Sequence, residues 1–288
     1  MSVSNSFFTQ PDTRNRIIAA CAFIISAVFG FINMIYNFIS SLITYSDIYS
    51  GPLKWRAISV RLTNDYLVLY SILTVFFLLL LIFAVFLFIK RTKVSSVILT
   101  FLLLIFEILH TVIIFPNSVE SITQLVKFTG ENDIINRTNI DEIIHYSISI
   151  IGISFQMLAY AFLLVTLFLL GIVCILNLFV DDYTVLPWVF PKLAALLSLL
   201  FFVFGNLFNG LSKVIYYTVS YIFSSRISAV FEMILRNAVN DCIPTITSLI
   251  PFAISTIFLA FGLFVVCNAL NRCAHIKNKK VIIHVMED

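Results

Sequence analysis

Six long apolar segments constrain this chain more than any other feature. They cover residues 17–45, 66–89, 94–115, 143–180, 193–223 and 243–270. A helix needs about 20 apolar residues to cross a bilayer, and every segment reaches that length. In lipid the backbone must satisfy its own hydrogen bonds, and a helix does so within one segment. The expected fold is all-α: a polytopic integral membrane protein with six transmembrane helices in three hairpins, N-in and C-in. Composition agrees, since only 11% of residues are charged against about 25% in soluble domains. Thirty phenylalanines against eight glycines suit helices that face acyl chains. The fourth segment holds no proline, charge or polar run at which the chain could turn back, so it reads as one long helix. No apolar stretch remains for a seventh span. Residues 224–242 instead set Ile227, Val230, Phe231, Ile234 and Leu235 at helical spacing, which predicts an amphipathic helix at the outer interface.

Three regions follow: a cytosolic segment 1–16, a six-helix domain 17–270 and a basic cytosolic tail 271–288. The first apolar run exceeds the 7–15 residues of a signal core, so it reads as a signal anchor. Ten Lys and Arg fall on the side of residues 1–16, with Lys90, Arg91 and Lys93 tightly clustered, and seven fall in the opposite, longer loops. This bias sets the inner side. It also puts the loops of residues 46–65, 116–142 and 224–242 outside, as a small cap. The second of these carries the sequon Asn136-Arg137-Thr138, a glycosylation candidate in a plasma-membrane or secretory-pathway protein.

The polar residues inside the spans are one-sided. At 1.5 Å per residue, Glu107 lies roughly 20 Å and His110 roughly 24 Å above the inner end of the third helix. Asn206 and Asn209 lie at similar depths on the fifth helix, with Lys213 one turn higher, and Asn33 matches them on the first. Helices 2, 4 and 6 run the other way, and their polar residues are early: Tyr70, Ser71 and Thr74; Ser149, Ser154 and Gln156; Thr247, Ser255 and Thr256. The inner halves, such as FFLLLLIFAVFLF, are nearly hydrocarbon. The pattern predicts a polar pocket that opens outward above an apolar plug, with Glu107, His110, Asn33, Asn206, Asn209 and Lys213 as candidate ligand-binding residues.

Each of these has a plainer reading. Glu107 is the one acidic residue within a span, and its charge costs roughly 2.5–3.5 kcal/mol there. With His110 three residues on, it could relay protons or hold a cation, or it could simply be protonated and bonded to a neighbouring helix. Asn206 and Asn209 could equally join helices, and Lys213 could reach up to headgroups rather than down to Glu107. Val-Phe-Gly occurs at 28–30 and again at 203–205, each time followed by two asparagines, which hints at a repeat. Pro251 is expected to kink the sixth helix, Trp188 to anchor at the inner interface, and Cys273 to be a palmitoylation candidate.

Phosphate-binding loops, hydrolase nucleophile motifs, zinc-ligand spacings and a second carboxylate beside Glu107 do not occur in the sequence. No cofactor is implied, and a net charge of +3 without basic clusters in soluble segments argues against nucleic acid. The expected partners are the lipid bilayer and a second copy or another membrane protein. The leading expectation is a non-enzymatic protein that binds a ligand or membrane partner through the outer pocket and cap, in a receptor- or assembly-type role. The alternative is a channel or secondary transporter for a small ion or solute, with proton or cation coupling through Glu107. A membrane-embedded enzyme ranks third.

Overall fold

The computed structural model describes residues 13–48, 54–88, 93–131, 140–179, 188–224 and 249–269, and the described chain is helical. The helices are α1 (Thr13–Ile48), α2 (Lys54–Phe88), α3 (Lys93–Glu131), α4 (Ile140–Phe179) and α5 (Val189–Ser224). A sixth, α6, covers Leu249–Ala269. All six are long and apolar enough to cross a membrane. Their outward faces are apolar too: Ile24, Val28, Ile82, Val112, Phe168 and Leu207 are all exposed. A helix that is apolar on both faces belongs in lipid rather than water, and the chain is read as an integral membrane protein.

The helices form a ring in chain order. α1 packs on α2, α2 on α3, α3 on α4 and, most extensively, α4 on α5. α6 closes the ring, since Ser255 donates to the Ser26 carbonyl of α1 at 2.9 Å and Thr256 accepts from Asn206 of α5 at 3.2 Å. α1 and α2 run antiparallel: Phe23 meets Phe83 near one end and Phe38 meets Tyr70 near the other. Arg16 fixes this register at the first end. Its Nε and Nη2 donate to the Leu87 carbonyl at 2.7 and 2.5 Å, satisfying an acceptor in the last turn of α2.

The core of the ring is hydrocarbon. Phe23, Leu80, Phe83, Leu103, Leu163 and Leu263 are buried to within 2% and come from five helices. Ser198 of α5 donates across to the Ala159 carbonyl of α4 at 3.0 Å, while two buried threonines satisfy themselves within their own helices, Thr100 donating to the Ser96 carbonyl and Thr166 to that of Phe162. Such self-contained bonds let Ser and Thr sit in apolar surroundings at little cost.

Two features differ from expectation. Residues 46–65 and 116–142, expected as outer loops, are largely helical. α1 continues to Ile48, α2 starts at Lys54, and α3 runs through Pro116 to Glu131. The apolar run stops at Phe115 because the surroundings change there, while the backbone keeps its helical bonds. Pro116 removes one of them, the bond to the Val112 carbonyl, without ending α3. Trp188, expected at the interface, is 1% exposed and the largest fully buried side chain. Its carbonyl accepts from Lys192 at the start of α5, so the indole turns into the core where the chain re-enters the bundle. Pro251 is buried two residues after the first described residue of α6. Asn136, Cys273 and the expected amphipathic helix at 224–242 (beyond Ser224) lie outside the described residues.

Candidate functional site

A cavity of about 370 Å³ lies inside the ring, displaced toward the end where α1 and α3 finish and α2 and α6 begin. Small-molecule sites occupy roughly 300–1,000 Å³. α1 contributes a stripe of Gly30, Asn33, Asn37 and Ser40, at the spacing that brings side chains onto one helix face. α2 contributes Tyr70, Leu73, Phe76 and Phe77; α3 contributes Glu107, His110 and Ile114; α4 adds Tyr160; α6 adds Phe252, Ser255, Thr256 and Leu259. Ser40 is exposed, so the cavity reaches the protein surface at that end. One helical turn or two further along each of these helices lies the hydrocarbon core, which closes the other end. Gly30 allows the aromatic wall to close up. A Cβ there would collide with the ring of Phe77, so only hydrogen leaves room for this ring against α1.

Glu107 is the exceptional residue on this wall. It is 1% exposed, and among the described residues neither carboxylate oxygen has a hydrogen-bond partner. His110 Nδ1 stands 3.5 Å from Oε2, close enough for electrostatic attraction, yet it too lacks a hydrogen bond among the described residues. Rings surround the pair. His110 stacks on Phe76 with centroids 6.4 Å apart and meets the edge of Tyr160 at 5.5 Å. The buried Tyr160 hydroxyl is likewise without a partner among the described residues. Buried polar groups are nearly always satisfied, so three such groups together on one cavity wall need a physical reason.

Asn206 shows the opposite condition. Its Oδ1 accepts from Gln156 Nε2 of α4 at 3.3 Å, and its Nδ2 donates to the Phe202 carbonyl at 2.8 Å and to Thr256 Oγ1 of α6 at 3.2 Å. Asn206 therefore joins three helices, and Thr256 stands between it and the cavity. Asn209 lies against Gly152 of α4, where a Cβ would collide with its Oδ1. Ser149 continues this seam by donating to Ser212 at 3.1 Å. Of the six candidate residues, the cavity brings together Glu107, His110 and Asn33; no described α5 side chain lines it. Lys213 belongs to α5, and its side chain lies outside the described ones.

Tyr160, Phe76 and Phe77 are site residues that sequence reasoning passed over. The phenylalanines begin the run read as plug. Tyr160 falls between the polar and apolar halves of α4, and its one signal was a hydroxyl at the depth of Glu107. No group of three or more metal-ligating side chains occurs among the described residues. No known protein family, curated protein or solved structure matches this chain.

Proposed function

We propose that this is a non-enzymatic multi-pass membrane protein that binds a small amphiphilic ligand in the cavity of its helix ring, in a receptor- or assembly-type role. One observation carries the reading: Glu107, buried and without a hydrogen bond among the described residues, on the wall of a ligand-sized cavity. Burying a carboxyl without partners costs several kcal/mol as an ion and less as a neutral acid. The Asn206 seam is evidence that this bundle bonds its half-buried amides well when only packing is at stake. A carboxyl left without such bonds suits a partner that arrives from outside. In the proposed threading the three hairpins turn on the outer side, residues 1–16 and 271–288 are cytosolic, and Asn136 is glycosylated in the lumen or outside the cell. The cavity then opens outward.

The test is ligand-dependent stability of the purified protein in nanodiscs. A ligand at 100 times its Kd stabilises by about 2.7 kcal/mol. Small amphiphiles should raise the melting temperature of the wild type and not that of Leu73→Trp, which fills the cavity. Equal shifts in both proteins would refute the cavity as the binding site.

A second reading, a channel or secondary transporter, has one observation in its favour, the Glu107–His110 pair on the cavity wall. It requires the core around Phe23, Phe83 and Leu163 to open. In that case Glu107→Gln abolishes solute flux into proteoliposomes while the protein still inserts and folds.

A further inference from the structure

The cavity wall has a chemical character that narrows the ligand. Its described lining includes one carboxyl group and neither lysine nor arginine. An anionic ligand would meet Glu107 with no fixed positive charge among the described lining residues to offset it. A bare metal cation would need several oxygen ligands, and the walls nearest Glu107 are rings. A neutral ligand could hydrogen-bond the carboxyl group but would bring it no opposite charge in an apolar setting. His110 supplies only part of one: it approaches Oε2 at 3.5 Å and no described residue bonds Oε1.

Phe76, His110 and Tyr160 form a continuous run of rings beside that carboxyl group, and Phe77 extends it with its centroid 5.7 Å from that of Phe76. Ring faces attract cations, most strongly organic ones shielded from water. An ammonium head carries up to three donors, enough for both oxygens of Glu107 and for the Tyr160 hydroxyl, which has no partner among the described residues. On α1, the cavity runs from Gly30 to Ser40, a rise of roughly 15 Å, which leaves room for an apolar body beyond the head.

We infer that the cavity takes a protonated organic amine, its ammonium seated on Glu107 among Phe76, His110 and Tyr160 and its apolar body extending along α1 toward Ser40. This rests on the ligand-binding reading above and adds the ligand's charge.

The experiment uses a matched pair of probes, 4-phenylbutylamine and the neutral 4-phenylbutanol. Each is titrated to millimolar concentration into the full chain in phosphatidylcholine nanodiscs, with protein-free nanodiscs subtracted. Binding is read by calorimetry and by melting temperature. The expected result is at least tenfold tighter binding of the amine by wild type. Glu107→Gln, which keeps the volume and replaces the acid by a neutral amide, erases that preference, and Glu107→Asp retains part of it. The melting transition of Glu107→Gln reports whether it is folded, and the amine–alcohol comparison in wild type stands independently of any variant. If both probes bind wild type equally, and Leu73→Trp blocks both, the amine inference is overturned and the cavity reading stands. If neither binds wild type, both fall.

Discussion

Asn206 and Glu107 sit in neighbouring parts of one bundle and follow opposite rules. Asn206 lies at a three-helix seam where its carbonyl and its amide nitrogen are both hydrogen-bonded. Glu107 faces a cavity, more deeply buried than Asn206, and neither of its oxygens has a bond among the described residues. The contrast separates two uses of polarity in a membrane. Amides and hydroxyls that find each other hold helices in register. An ionisable group kept from such bonds retains its capacity for something else.

The comparison can be broken most forcefully at the seam's backbone. Gly205 lets α5 approach α4 so closely that a Cβ would lie 2.7 Å from Gln156 Cγ and 3.0 Å from its backbone nitrogen. Gly205→Val forces these helices apart, and we expect a loss of about 3 kcal/mol, since overpacking costs about 1–3 kcal/mol and occasionally more. Equilibrium unfolding in mixed micelles measures it. A change under 1 kcal/mol would mean the seam is loose.

The next test reverses the sign. Glu107→Leu removes a buried carboxyl from an apolar wall, and stability in the absence of ligand should rise by about 2 kcal/mol. A fall of that size in the same unfolding experiment would show that Glu107 is a structural partner like Asn206. Asn206→Leu should go the other way and lose about 1.5 kcal/mol, because Gln156 and Thr256 lose their shared partner. Losing nothing would remove the distinction from the other side. The smallest effect is expected at Ser212→Ala, which deletes the bond from Ser149. Interhelical bonds of this kind average about 0.6 kcal/mol in membranes, and a double-mutant cycle with Ser149→Ala isolates it.

Much of this architecture is legible in the sequence. Six helices followed from apolar length, and α4 as one unbroken helix followed from 143–180 holding nothing at which to turn. The position of Glu107 and His110 along α3, one turn apart on one face, followed from helical spacing alone. The extent of the helices past the apolar runs was not legible. The segments after Pro116 and before Tyr66 are polar, and hydropathy reports the solvent rather than the backbone. Trp188 misled for a related reason: its flanks, Pro187 and Pro191, look like a surface turn, and only the packing of α5 turns the indole inward.

The sharpest case is the pair of Val-Phe-Gly motifs. Gly30 and Gly205 each begin a short polar stripe at the same depth, and the two stripes look equivalent on paper. In the ring, Asn33 faces the central cavity while Asn206 faces the seam with α4 and α6. The sequence by itself determined that the chain makes six helices long and apolar enough to span a membrane, how long their apolar parts are and where along each helix the polar residues fall, because those depend on apolar length and on rise per residue. Only the tertiary structure decided which polar residues meet. That depends on the order of helices around the ring and the rotation of each about its axis, and both are set by side-chain packing between segments distant in the chain.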